Sequence, residues 1–383
     1  MANQEYLMHE QVRLWDIAIL FLKLGIIGFG GPAAHIAMMR DEVVHKRKWM
    51  NDQKFVDLLG ATNLIPGPNS TELAIHIGYD KGGWRGLIIA GLCFILPAVL
   101  ITGVFAWLYK KYGHLPVVHQ FVYGIKPAII AVILNALIPL LRTSFKNALL
   151  ITLGVSVFIL SFLGISELYL MFGAGLLAMV IHHYRYTNRS HFRSIAPLFL
   201  MTGFQQSFFS SKNIELFWIF LKIGSILYGS GYVLFAFLDT ELVATGMLSR
   251  QELIDAIAVG QFSPGPVFSS VTFIGYQING FTGAVLSTIA IFTPSFLLVA
   301  LLVPLVKKMR NSAAFSSFLD AVNVSAIAMI AVICFEMGKE TIYNWQTLSI
   351  ALLTMVILLR FRKTNSAFII IGGAVMGYLL TQL

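Results

Sequence analysis

Residues 65–72 read Ile65-Pro66-Gly67-Pro68-Asn69-Ser70-Thr71-Glu72, and residues 263–270, 198 positions later, read Ser263-Pro264-Gly265-Pro266-Val267-Phe268-Ser269-Ser270. Proline has no backbone N–H and a fixed φ. Each Pro-Gly-Pro therefore ends one helix, and its last proline is tolerated where the next begins. Around the first break stand Asn63, Asn69, Ser70, Thr71, Glu72 and His76, and after the second stand Ser269, Ser270 and Thr272. The spacing predicts helix, break, helix over 55–79 and 253–276, a re-entrant hairpin in each place. Irregular backbone inside a bilayer survives only where protein buries it or it lines a water-filled cavity. Matching Pro/Gly-interrupted segments in two halves of a chain point to a transporter site.

Composition supplies the bilayer. The chain has 383 residues, 57% of them hydrophobic and only 12% charged, and its mean hydropathy is +0.78. So little charge cannot cover a soluble globule, which excludes soluble enzymes, nucleic-acid binders and disordered scaffolds. Uncharged runs long enough to span hydrocarbon as helices cover 86–109, 147–166, 279–306, 341–359 and 364–383. Further spans are expected at 17–37 with Lys23, 120–141 with Lys126, 168–181, 216–238 with Lys222, and 318–335 with Asp320 near its start. That makes ten. The runs are continuously apolar rather than alternating, so barrel strands are excluded. Cys93 and Cys334 sit in apolar runs and imply neither a disulfide framework nor a metal site. The polar first sixteen residues and the long apolar run after them do not read as a cleavable signal peptide.

The chain repeats itself. Phe21-Leu22-Lys23-Leu24-Gly25 returns as Phe220-Leu221-Lys222-Ile223-Gly224 at an offset of 199, and Glu42 returns as Glu241. Gly78-Tyr79 matches Gly275-Tyr276, and Gly86, Pro97 and Lys110-Lys111 match Gly283, Pro294 and Lys307-Lys308, all at 197. Order is kept while the offset drifts by two, which defines two homologous halves, 1–183 and 214–383, joined by a linker over 184–213. Five spans per half is an odd number, so the second half is expected to be inverted. Charge supports this: placing the 40–54 loop in the cytoplasm and alternating outward puts 19 Lys and Arg inside and 5 outside. Region 40–57 has 5 basic and 4 acidic residues, whereas its match at 239–256 has 1 and 4. The resulting expectation is an all-α integral membrane protein of about ten transmembrane helices in two inverted repeats, with both termini outside and Lys110-Lys111 the one violation.

Site chemistry follows from the breaks. A helix starting inside the membrane presents free N–H groups and the positive end of its dipole, a place for an oxyanion. Asn69, Ser70, Thr71, Ser269 and Ser270 add neutral donors. The intramembrane lysines Lys23, Lys126 and Lys222 add charge, and such residues usually face a partner or a cavity. Lys23 and Lys222 are repeat matches expected to approach a pseudo-two-fold axis together, with snorkelling to an interface the plainer reading. Lys126 stands alone because Asn323 is its match; a salt bridge or packing would also account for it. Gly30 and Gly31 in Gly28-Phe29-Gly30-Gly31-Pro32 allow close helix packing or line the path. His35 is a lone histidine near a helix end. Glu72 and His76 are candidates for a proton relay, although Ser270 replaces Glu72 in the second half. Glu42 and Glu241 read as caps or salt-bridge partners, and Asn63 and Gln261 as satisfying broken backbone.

Phe29-Gly30-Gly31-Pro32-Ala33-Ala34-His35, the run Pro66 to Leu73, and Pro264-Gly265-Pro266 with Gly275-Tyr276 together resemble the chromate ion transporter family, long two-domain type. The likeness covers nearly the whole chain. Ser230-Gly231 stand where the first half has Gly31-Pro32. The resemblance implies ten spans in antiparallel halves and export of chromate from the cytoplasm across a bacterial plasma membrane, giving chromate resistance. The residues themselves reach only an oxyanion, so a transporter or channel for another tetrahedral oxyanion such as sulfate stays open beside it. No metal-ligand cluster, nucleophile with a base, or phosphate loop is present, so neither an enzyme, a cofactor nor ATP drive is expected. The expected partners are the anion and the lipid bilayer, with no nucleic acid; a homodimer is allowed but not required. A dianion leaving a negative cytoplasm runs down the electrical gradient, which makes potential-driven export the expectation, with protons as a further source.

Overall fold

A computed structural model describes residues 12–29, 31–113, 115–186, 212–228, 231–310, 313–361 and 364–382, and all regular structure among them is helical. In the first half, α1 (Leu14–Ile27) is followed by α2 (Gly31–Arg40), a π-helical turn (Asp41–Lys46), α3 (Asp52–Thr62), α4 (Asn69–Tyr112), α5 (Pro116–Ser144), α6 (Ala148–Phe162) and α7 (Glu167–Tyr186). The second half runs α8 (Lys212–Ile226), α9 (Val233–Leu238), a π-helical turn (Asp239–Val243), α10 (Arg250–Phe262), a 3₁₀ turn (Val267–Ser269), α11 (Ser270–Arg310), α12 (Ala313–Thr341), α13 (Trp345–Arg360) and α14 (Ser366–Leu380). Apart from the 3₁₀ turn, the two halves carry the same order of elements. The helix starts are capped by side chains the sequence supplies: Asn51 accepts from the Lys54 N–H and Asn147 from Leu150, and Ser249 forms a capping box with Glu252.

Helices over 69–112, 118–144, 267–301 and 313–341 are long and apolar enough to cross a bilayer, and shorter apolar helices lie at 148–162, 167–182, 345–360 and 366–380. Two expected spans are not single helices. The run 17–37 stops at Ile27 and resumes at Gly31; the run 216–238 stops at Ile226 and resumes at Val233. In the first half the cause is Pro32, which withholds an N–H, and Gly31 in the left-handed region at φ +78. In both halves the last free carbonyl is taken by the opposite half, as described below. Hydropathy registers neither event.

α4 and α11 are each bent double. At Gly78 an added Cβ would meet the Gly86 carbonyl, and at Gly275 that of Gly283. Eight residues along a straight helix would separate such groups by about 12 Å, so the chain reverses between them. The reversal falls at Gly83 (φ +57) and at Asn279-Gly280 (Gly280 φ +61). Each helix thus has a short first limb that begins at Pro-Gly-Pro and a long apolar second limb.

The halves interlock. α1 packs on the second limb of α4, with Gly25 against the Phe94 carbonyl, and α8 packs likewise on α11, with Gly224 against the Ile291 carbonyl. The first limb of α11 lies along the second limb of α4, where Gln277 donates to the Ala106 carbonyl at 2.9 Å. α5 is clasped by α13 and α14 of the other half, with Gly124 against Gly373 and Gly377 and Tyr123 bonded to Asn344. α12 is clasped by α6 and α7, with Gly154 against Val324 and Gly175 against Phe318. Small residues at these crossings let backbones approach where lipid gives no hydrophobic drive.

Candidate functional site

The two Pro-Gly-Pro breaks are buried and stitched to the opposite half. The Gly67 N–H donates to the Leu227 carbonyl at 2.7 Å, and the Gly265 N–H donates to the Gly28 carbonyl at 2.7 Å. Leu227 and Gly28 are the residues just past the ends of α8 and α1. Four interrupted helices therefore meet, each break supplying the backbone partner that another lacks. His35 completes the second of these junctions: its Nε2 lies 2.8 Å from the Gly28 carbonyl and its ring stands edge-on to Phe94. Gly31 approaches the Tyr232 hydroxyl, which bonds the Gln261 side chain at 3.5 Å. Gly30 lies outside the described residues.

Polar side chains collect where α4 and α11 begin. Ser70, Thr71, Glu72 and His76 on the first limb of α4 are buried, as are Ser269, Ser270, Ser287 and Ser295 along the 3₁₀ turn and α11. Of these, Thr71 Oγ1, His76 Nε2 and the hydroxyls of Ser269, Ser270 and Ser287 have no hydrogen-bond partner, and the Ser295 hydroxyl is the hydrogen-bonding neighbour of the Glu72 carboxyl. Buried polar atoms are rarely left so, and a concentration of them needs a reason. Glu72 and Ser295 converge on Gly67, where a Cβ would strike both. Asn69 is partly exposed and donates to Asn63 Oδ1 at 3.0 Å, a bond that bridges the break. Pro66, Pro68, Pro264 and Pro266 are all buried.

Each of the three intramembrane lysines meets a carboxylate. Lys23 Nζ lies 2.8 Å from Glu42 Oε1, and Lys222 Nζ lies 2.6 Å from Glu241 Oε1. The pairs are repeat matches, so the glutamates are ion-pair partners in both halves. Among the described residues no hydrogen bond joins Lys23 to Lys222, or either lysine to a Pro-Gly-Pro segment. Glu42 also receives Lys46 at 3.2 Å and Arg47 at 3.5 Å. At the matching turn Arg250 instead gathers Asp239, Glu336 and Glu340. One end is thus rich in cations and its counterpart rich in carboxylates.

Lys126 is the buried one. Its Nζ lies 3.2 Å from Asp255 Oδ1, and the Tyr109 hydroxyl donates to Asp255 Oδ2 at 2.6 Å. This cluster joins α5 and α4 of one half to α10 of the other. Asp255 was not singled out from the sequence, although an acid in the apolar run 253–260 was the available signal. Asn323, the match of Lys126, is half-buried on α12. A cleft of about 300 Å³ lies elsewhere, between α6, α7, α12 and the α9 segment with its π-helical turn, and is lined by Glu167, Asp239 and Glu336, a poor environment for an anion. Among the described residues no group of three His, Cys, Asp or Glu is placed to hold a metal.

A family model described as Chromate transporter matches residues 15–179 and again residues 214–378. The chain belongs to the chromate transporter family. It is 30% identical over 370 residues to the "Chromate transport protein" of Cupriavidus metallidurans, across 95% of this chain and 92% of that one. It is 29% identical over 381 residues to the "Probable chromate transport protein" of Synechococcus elongatus, across 97% and 96%. An uncharacterized transporter of Methanocaldococcus jannaschii is 27% identical over 380 residues. No solved structure matches the chain. The double family match agrees with the repeat read from the sequence and with the shared element order of the two halves.

Proposed function

We propose that this chain is a secondary transporter that carries chromate out of the cytoplasm across a bacterial plasma membrane, driven by the membrane potential, and so confers resistance. The observation that carries the reading is the group of buried, unpartnered hydroxyls where α4 and α11 start inside the apolar body. Chromate, a small oxyanion, takes up hydrogen bonds that such donors otherwise lack, and two helix N-termini add favourable partial charge. Asn69, Ser70, Thr71, Ser269 and Ser270 form the cradle. Lys23, Lys126 and Lys222 supply full charge along the path, each surrendered by its carboxylate as the anion passes. The relatives named for chromate transport favour chromate over sulfate.

The second half is inverted, both termini lie outside, and the interlocked breaks alternate access as the halves rock. A bare dianion leaving across 100 mV gains roughly 4.6 kcal/mol, twice the single-charge value. At about 1.4 kcal/mol per tenfold, that sustains an outward gradient on the order of 10³ without ATP. The test is chromate uptake into inside-out vesicles at an imposed, lumen-positive potential. Uptake that depends on this protein and rises with potential supports the reading; uptake equal to that of empty vesicles refutes it.

A further inference from the structure

Glu72 is fully buried, and the Ser295 hydroxyl is its hydrogen-bonding neighbour. It sits in the first turn of α4, with the Ser295 hydroxyl of α11 beside it against Gly67. The titratable groups nearest it are Tyr228, within electrostatic reach from the end of α8, and His76 one turn along α4. Among the described side chains, the basic groups on the elements packed against α4 are already engaged in ion pairs. Lys23 of α1 pairs with Glu42, Lys54 of α3 with Asp80, and Asp255 of α10 with Lys126 and Tyr109. His35 of α2 is held by the Gly28 carbonyl. No cation among the described residues faces Glu72.

A carboxylate and an oxyanion cannot share so small and dry a space, because their repulsion is unscreened there. A carboxylic acid can, since its O–H is one more donor. Resting on the oxyanion reading above, we propose that Glu72 holds a proton whenever the anion is bound, donating it as a hydrogen bond, so that anion and proton occupy the site together. The proton comes from the aqueous phase that the anion leaves and adds to a Glu72 oxygen without any other bond breaking. One of the two negative charges is then cancelled, and the potential drives one net charge per cycle rather than two. Ser270, the repeat match of Glu72, cannot do this, so the proton belongs to the first half alone.

Two measurements on the full chain in lipid nanodiscs test this, with chromate as the probe. First, chromate binding is measured from acid to alkaline pH for the unaltered protein and for Glu72→Gln, which keeps a donor and cannot ionise. The protonation of chromate itself is common to both and cancels in the ratio of dissociation constants. That ratio, unaltered over variant, is expected to climb toward tenfold per pH unit on the alkaline side, and His76→Gln should leave the climb in place. Second, at alkaline pH, where chromate is already fully deprotonated, the unaltered protein should take up about one proton per chromate bound, read with a pH dye in weak buffer. This second reading stands even where the variant fails to fold. A flat ratio, or chromate binding without proton uptake, overturns the role of Glu72 while leaving the oxyanion site intact. If the unaltered protein binds no chromate at any pH, the oxyanion reading falls and this inference falls with it.

Discussion

Replacing Lys126 with methionine should destabilise the protein severely, and adding Asp255→Asn should restore most of the loss. Lys126 and Asp255 are 8% and 4% exposed, so neither charge has water to fall back on. Their contact is 3.2 Å, and Tyr109 holds the second Asp255 oxygen at 2.6 Å. Removing one member of a buried pair leaves an uncompensated charge and costs about 3–5 kcal/mol. For a chain of this size that is a fall on the order of 5 °C in melting temperature. Asparagine at 255 keeps an acceptor for the Tyr109 hydroxyl, so the double variant loses little beyond the ion pair itself. Fluorescence-monitored melting of the detergent-solubilised single and double variants measures the coupling, and vesicle transport is read on the same preparations. Stability is expected to return in the double variant while chromate transport does not, because the path has lost a cation. Single variants as stable as the parent would refute the buried pair. A double variant that transports chromate normally would make Lys126 a strut between the halves and nothing more.

Gly67→Ala should be far more damaging than Gly83→Ala: Gly67 combines φ +137 with a collision against Glu72 and Ser295, whereas an added Cβ at Gly83 meets nothing within 4 Å. Gly83→Ala carries only the cost of a backbone conformation (φ +57, ψ −147) that is nearly confined to glycine, about 1–3 kcal/mol, and folded yield after solubilisation separates the two. Lys23→Met and Lys222→Met should each cut chromate transport well below that of Lys110→Met, whose Nζ bonds only the Tyr276 and Gln277 carbonyls near 3.5 Å; inserted Lys23→Met and Lys222→Met proteins with unchanged transport would sink that role. Ser269→Ala and Ser270→Ala together should weaken chromate binding by on the order of 10²-fold or more, since each lost hydrogen bond to a charged group is worth about 1.5–3 kcal/mol and every 1.4 kcal/mol is tenfold, while melting stays within a degree or two because both hydroxyls are unpartnered. Cysteines placed in the 40–54 loop should react with impermeant thiol reagents only from the cytoplasmic face, and labelling of intact cells there would overturn the orientation.

Much of this was legible in the chain because helix breaking is local chemistry. Pro66-Gly67-Pro68 and Pro264-Gly265-Pro266 end helices wherever they occur, and both do so here. The matched glutamates at 42 and 241 were readable as salt-bridge partners because the repeat carried Lys23 and Lys222 with them. The stop at Ile226 was not legible, and the stop at Ile27 left only the local trace of Gly31-Pro32. Each leaves a carbonyl that is bonded by a glycine 160 or more residues away, across the two halves (Gly67 to Leu227, Gly265 to Gly28). Hydropathy over 216–238 is uninterrupted, so only the tertiary partner reveals the break. Asp255 was hidden for the same reason: its meaning lies in Lys126 and Tyr109, on other helices. The doubling back of α4 left a faint trace, the glycines at 78, 83 and 86 and their matches at 275, 280 and 283. Their spacing becomes interpretable once Gly78 is seen to touch Gly86.

The most direct test of potential-driven export is chromate accumulation in inside-out vesicles with the potential clamped at zero by valinomycin and equal potassium, without a pH gradient. Export driven by the potential predicts that chromate equilibrates and does not concentrate, and that restoring a lumen-positive potential restores accumulation. Chromate that still concentrates against its own gradient at zero potential would contradict the account and require another source of energy.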